Sequence, residues 1–377
     1  VEKMPLKRPL QMLAVLLLTT GLACDKYEGN KKMGAAERMQ MSKNIATLLK
    51  TDKPIERQSP FVKRDFDPYL GGEWIGDAVS YGPYRRGQAP GKKGPSEAEI
   101  LQDLQLIQKT WQLIRVYGAD TDSERILKVI DEHKLPIKVM LGVWLENESK
   151  NKARRQENIE QVVMAIKLAN TYQQHLAAVS VGNESQVYWS WHRMDREKLI
   201  RYIRAVRKHT DVPVTCADDY NFWNKAESKA VAAEIDFIVC HMYAMWNSQT
   251  LAKAIPWTDS VYTDISKRYP EHEIVLGETG WATTYNPAAK GPGEQGTLIK
   301  GEVSIAAQEK FLLQLHDWVQ RRRVSTFLFE AFDEPWKGGG EASGANEVEK
   351  HWGVYYENRQ PKASFVNYLK KIAAPVE

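Results

Sequence analysis

Residues 177–216 read AAVSVGNESQVYWSWHRMDREKLIRYIRAVRKHTDVPVTC. The first five form a short apolar run of strand length and end in Gly182-Asn183-Glu184. A helical pattern follows over 195–209 with Asp195 as its N-cap, and Pro213 stands at the entry to a second β-rich run, 212–216. Strand, helix, strand in one passage implies two parallel strands joined by a right-handed crossover. The same unit recurs on both sides. Further strands are expected at 75–81, 113–117, 137–141, 237–240, 273–276 and 325–329. Helices are expected near 97–110, 122–133, 153–174, 228–234, 259–269, 305–321 and 361–372, with Ser96 and Thr121 as further N-caps and Pro136 just before a strand. Eight such units in one α/β domain fit a (β/α)8 barrel, the TIM-barrel architecture, over 73–374. No G-x-G-x-x-G follows the first strand, which weakens the dinucleotide-fold alternative.

Composition is consistent with a large folded body. Of 377 residues, 43% are hydrophobic and 27% charged, with 12 Trp, 16 Tyr and 9 Phe, which excludes disorder. Formal charge is +4, and +2 without residues 1–23, which argues against broad nucleic-acid binding. Before the barrel, Lys7 and Arg8 precede an apolar run from Leu10 to Leu18, then small residues and Cys24. That is the layout of a signal peptide, expected over 1–23. Gly21-Leu22-Ala23-Cys24 resembles a bacterial lipobox, which implies a lipid on Cys24 and a membrane-anchored, exported protein. Gly21 departs from the large aliphatic usual there, and simple secretion is the alternative. Residues 24–72 are polar, apart from a short helix around 36–49, and read as a tether. Monomer is the default state.

In a barrel, function gathers where the strands end. Aromatic residues follow the strands: Tyr81, Tyr84, Tyr117, Trp144, Tyr188, Trp189, Trp191, Tyr220, Trp223, Tyr243, Trp246, Trp281, Phe332 and Trp336. This placement predicts that much of the tryptophan excess lines the barrel mouth. Strand 4 ends in Asn183-Glu184 and strand 7 in Gly277-Glu278-Thr279-Gly280-Trp281, on nearly opposite walls. Cleaving an acetal needs a proton for the leaving oxygen and a carboxylate for the oxocarbenium-like centre, and Glu184 and Glu278 would supply both.

At these residues the chain resembles glycoside hydrolase family 17. The likeness runs from about Ile75 to Trp336. It rests on Ser80-Tyr81-Gly82-Pro83-Tyr84-Arg85, Arg115-Val116-Tyr117, Val181-Gly182-Asn183-Glu184, Gly277-Glu278-Thr279-Gly280-Trp281 and Phe332-Asp333-Glu334-Pro335-Trp336-Lys337. Ala282 departs from the Pro that many relatives carry. The resemblance implies a retaining β-1,3-glucanase or glucanosyltransferase, with Glu184 as general acid/base and Glu278 as nucleophile. It further implies that Asn183 holds the sugar 2-OH and that Glu334 and Lys337 belong to a supporting network. Retention implies carboxyl groups about 5–5.5 Å apart. Partial burial near an anionic Glu278 would keep Glu184 protonated.

Tyr84, Tyr117, Trp144, Tyr243 and Trp281 complete the expected substrate-binding set, with Tyr243 also placed to donate to Glu278. The expected partner is β-1,3-glucan or its oligosaccharides, with no nucleic acid, no metal and no cofactor. Glu330 is expected to pair with Arg or Lys. Asp218 and Asp219 read equally well as sugar ligands or as a solvated turn. Cys216 and Cys240, on neighbouring strands, read as buried thiols, with a disulfide as the alternative. A non-catalytic glucan-binding lipoprotein is a third functional reading, which two retained glutamates disfavour.

Overall fold

The computed structural model describes residues 34–373. The expected signal peptide and Cys24 lie outside the described residues. Eight parallel strands close into a barrel: β1 (Asp77–Ser80), β2 (Leu113–Val116), β3 (Lys138–Val143), β4 (Leu176–Asn183), β5 (Val214–Asp219), β6 (Ile238–His241), β7 (Ile274–Thr279) and β8 (Thr326–Leu328). They are ordered as in the chain, and β8 pairs back onto β1. All eight expected strands are present. β4, β5 and β7 run past their expected ends to Asn183, Asp219 and Thr279, carrying polar residues into the mouth.

Helix α1 (Ala35–Lys50) precedes the barrel. Around it run α2 (Glu97–Ile107), α3 (Thr121–Glu132), α4 (Lys152–Thr171), α5 (Arg196–His209), α6 (Tyr220–Trp223), α7 (Ser228–Ala232), α8 (Leu251–Arg268), α9 (Gln295–Leu298), α10 (Ile305–Arg322) and α11 (Ala363–Ala373). Ser96 and Glu99 close a capping box on α2, and Asp195 accepts from Lys198 N on α5. On α3 the cap is Asp120 rather than Thr121, because its carboxylate accepts from both Asp122 N and Ser123 N. α8 starts at Leu251, earlier than expected, since Pro256 inside it obscures its first turns.

The core has two layers. Ala78, Leu113, Met140, Ala178, Ala217, Val239, Val275 and Phe327 fill the barrel, while alternate residues such as Val79, Ile114 and Val179 pack outward against the helices. Cys216 and Cys240 are free and buried in the outer layer.

The tether expected over 24–72 is corrected for its described part. α1 lies against α4, and Ile45, Leu49 and Ile55 are buried in the outer core. Arg201 and Arg155, from α5 and α4, donate to the carbonyls of Leu49 and Thr51, capping the C-terminal end of α1 with positive charge. Further on, Arg64 donates to the Val212 and Arg207 carbonyls. Phe66 then enters the barrel's inner core and stacks on Phe237 at 4.6 Å. A polar composition hid these anchors because each is a single apolar residue or a backbone carbonyl, with no persistent period.

Candidate active site

The β4 exit has unusual backbone. Gly182 has φ 82° and Glu184 φ 46°, both left-handed, and a Cβ on Gly182 would meet Ser185 Oγ at 2.7 Å. This reversal sets Glu184 at the mouth. Asp218 at the end of β5 holds the segment that follows. Its carboxylate accepts from Gln186 N at 2.8 Å, Val187 N at 3.2 Å and Asp219 N at 2.9 Å. Burial, reinforced by Glu184, pushes the Asp218 carboxyl well up. Fully buried, it is neither the sugar ligand nor the solvated turn that the sequence allowed. Asp219 caps α6 through Asn221 N and is pushed up to about 8, chiefly by burial.

Across the barrel, Glu278 projects from β7 into a set of donors. Arg115 from β2 reaches Glu278 Oε1 at 2.8 Å, and the Tyr243 hydroxyl donates to Oε2 at 2.7 Å. Burial alone would raise this carboxyl. His241 and Arg115, with hydrogen bonds from Tyr243 and Tyr117, outweigh burial and hold it below the usual carboxylate range. His241, ending β6, joins the two walls: its Nδ1 lies 3.1 Å from Glu184 Oε1, and its Nε2 3.5 Å from Glu278 Oε1. Arg115 also donates to Asn183 Oδ1 at 2.6 Å and to the Gly277 carbonyl at 2.9 Å. With Oδ1 engaged, Asn183, which lines the mouth cavity, keeps its amide hydrogens as free donors. The Glu278 side chain is 7% exposed and the Glu184 side chain 26%, so one carboxylate is enclosed and the other open.

A cavity of about 640 Å³ occupies the mouth. Tyr84, Tyr117, Trp144, Asn183, Glu278, Glu334 and Lys337 line it, and Glu184 is not among its lining residues. Tyr243 stands behind Glu278, packed at 5.3 Å from Trp352, and does not line the cavity. Trp281 is a correction. It is 1% exposed, donates to the Glu302 carbonyl at 2.8 Å and packs at 5.4 Å from Phe311 of α10. Gly280 passes so close to the Phe329 carbonyl that a Cβ would lie 2.1 Å from it, and the ring beyond turns into the helix layer. Trp223 is likewise fully buried, so the tryptophan excess divides between core and mouth.

Lys337 Nζ lies 2.7 Å from Glu330 and 2.6 Å from Glu334, the pairing expected for Glu330. Burial drives the Glu330 carboxyl well up, while Glu334, equally buried, is held below its ordinary range by Lys337 and its hydrogen bonds. Gly82 is essential to this packing, since a Cβ there would meet Glu334 Oε1 at 2.1 Å.

Arg115 and His241 were not among the residues to which the sequence assigned a role. The available signal was a charged residue between the apolar Ile114 and Val116 of a buried strand, and a histidine at a strand's C-terminal end. Glu349 sits on the short turn Val348–Lys350, where desolvation, reinforced by Glu347 and more weakly by Glu184 and Glu278, pushes it up to about 7 against the pull of Lys337.

Residues 78–353 match the BtgE/BtgC glycoside hydrolase domain. The chain belongs to that family. This agrees with the family 17 likeness of its strand-end motifs. Among curated proteins it is 25% identical over 286 residues to the glucan endo-1,3-beta-glucosidase btgC of Emericella nidulans, covering 71% of this chain and 42% of that protein. It is 24% identical over 279 residues to a glucan 1,3-beta-glucosidase of Schizosaccharomyces pombe, covering 70% and 79%. The chain thus spans about two-fifths of the length of the btgC relatives. Among solved structures, an endo-laminarinase from Formosa Hel1_33_131 superposes with TM-score 0.66 at 21% identity, over 80% of this chain and 90% of that one. A Rhizomucor miehei beta-1,3-glucanosyltransferase active-site mutant with laminaritriose gives 0.59 at 20%, over 76% and 95%. Both share the barrel fold.

Proposed function

We propose that the protein is a retaining glycoside hydrolase acting on β-1,3-glucan, with Glu278 as nucleophile and Glu184 as general acid/base. The observation that carries this reading is the pair of carboxylates from opposite walls meeting one histidine in unlike surroundings. Glu278, enclosed and ionised, attacks the anomeric carbon, while Glu184, on the open side, protonates the departing oxygen. Once the glycosyl ester forms, the charge on Glu278 is gone, and Glu184 deprotonates the incoming water. Asn183 presents amide hydrogens to the sugar 2-OH, and Tyr84, Tyr117 and Trp144 offer ring surface to the apolar faces of glucose. The names of the curated relatives support β-1,3-glucan as substrate.

Laminari-oligosaccharides test the reading directly. Shorter products whose new reducing ends appear first as the β-anomer by proton NMR are expected. Initial α-anomer would overturn retention, and binding without cleavage would overturn the enzyme assignment. We also propose export and lipidation at Cys24, supported by Lys7-Arg8, the 10–18 run and the small residues before the cysteine. Labelled palmitate should enter the cellular protein and not its Cys24→Ser variant, and unlabelled parent protein would indicate simple secretion.

A further inference from the structure

The segment between Glu184 and α5 carries three large rings in water. Tyr188 is 73% exposed, Trp189 47% and Trp191 63%. Elsewhere on the described body large rings are mostly covered, and a cluster of open ones commonly marks a binding surface. The segment is firmly held. Besides its attachment to Asp218, Met194 N donates to the Ser185 carbonyl at 3.0 Å, and Lys150 Nζ to the Trp191 carbonyl at 2.6 Å. His192 Nε2 contacts the carbonyl of Asn183 at 2.7 Å, next to Glu184 itself.

One of the rings, Trp191, is linked through His192 to the wall of the cavity. Trp144, which lines that cavity, packs at 4.7 Å from His192, and Trp191 meets the same imidazole at 5.0 Å. Trp189 and Tyr188, on the same segment, pack against each other edge to face at 4.8 Å and 84°. A ring path therefore leads from Trp144 on the cavity wall through His192 to the exposed Trp191, and the Tyr188–Trp189 pair stands on the same loop, which also bears Glu184.

Resting on the assignments above, we propose that Tyr188, Trp189 and Trp191 form the binding platform for the acceptor-side glucan chain and thereby favour glycosyl transfer over hydrolysis. The direction follows from the chemistry. Glu184 protonates the leaving oxygen, so the departing chain leaves past Glu184, and the rings stand on the loop that follows it. Pyranose rings have apolar faces that stack on aromatic side chains, and a neutral chain needs no charge complement. A second chain held there presents a hydroxyl to the glycosyl ester. That hydroxyl attacks C1, its proton passes to Glu184, and the C1–O bond to Glu278 breaks with the electron pair returning to the carboxylate. The product is a longer glucan.

The test uses the whole protein with 4-nitrophenyl β-laminaribioside as donor and laminaritetraose as acceptor. Total turnover is read from nitrophenol and elongated product by mass spectrometry. The ratio of elongated to water-cleaved product is expected to fall roughly tenfold in Trp191→Ala and in the Tyr188→Ala/Trp189→Ala double variant, a factor equivalent to about 1.4 kcal/mol. Trp191→Phe should restore most of it, and the acceptor concentration for half-maximal transfer should rise. An unchanged ratio in the alanine variants overturns the proposal, as does a parent protein that releases nitrophenol but never elongates. A change from dimer to monomer in sedimentation with the ratio unchanged would assign the rings to a second copy of this chain. Absence of any nitrophenol release would instead defeat the glycosidase reading beneath it.

Discussion

The two walls of the mouth are built differently. On the Glu278 side, Arg115 of β2, His241 of β6 and Tyr243 just beyond it surround the β7 glutamate in near-complete burial, and each addresses the carboxylate. On the Glu184 side, left-handed backbone lifts a half-open carboxylate onto a loop that also carries exposed rings. The enclosed wall fixes a charge, in a setting where electrostatic interactions are strong. The open wall gives access, which leaving groups and acceptors need. His241 spans both, so damage to either wall should register in the other.

The largest effect is expected from Glu278→Gln, which removes the proposed nucleophile while preserving shape. Its kcat should fall by at least about 10⁴-fold. Loss of the counter-charge to buried Arg115 should also lower stability by about 3 kcal/mol in urea unfolding. Wild-type turnover by this variant would remove the enclosed wall from the chemistry. His241→Ala breaks the link between walls, with kcat/KM expected to drop on the order of 10²-fold. Because His241 helps to hold the Glu278 carboxyl low, the acid limb of the pH profile should move to higher pH. A pure activity loss with an unmoved limb would reduce His241 to packing.

Tyr243→Phe deletes one hydrogen bond to a charged group. It should cost roughly tenfold in kcat/KM with the limb shifted the same way by less. A separate effect concerns stability rather than turnover. Burial raises Asp219 to about 8, so the native state retains a proton that the unfolded chain releases from about pH 4. Its contribution to stability therefore declines as pH rises through that window. Asp219→Asn should flatten the fall of Tm between pH 5 and 8, and an equally steep fall would show that other groups govern it.

The legibility of the site follows the same division. Glu184, Glu278 and Asn183 could be read because each closes a strand whose apolar run is itself visible, and strand ends in a barrel face one mouth. Trp281 misled, since a residue after a strand end can turn into the helix layer as easily as into the cavity. The buried role of Asp218 was invisible because its partners are backbone amides, which every sequence contains. The packing of 35–68 escaped for a related reason. Arg201 recognises carbonyls at the end of α1, and Phe66 fits a barrel interior shaped by eight distant strands.

By itself, the sequence determined the alternation of strands and helices, their parallel closure, and the two carboxylates that share a mouth. Local periodicity and chain direction fix those features, and both are written residue by residue. Only the tertiary structure decided which aromatic rings meet solvent, and that His241 bridges the glutamates. It alone decided that Arg115 serves Glu278 and Asn183 together, and that the polar lead-in is part of the body. Each of these depends on distances between residues remote in the chain, set by how the closed barrel brings its strands together.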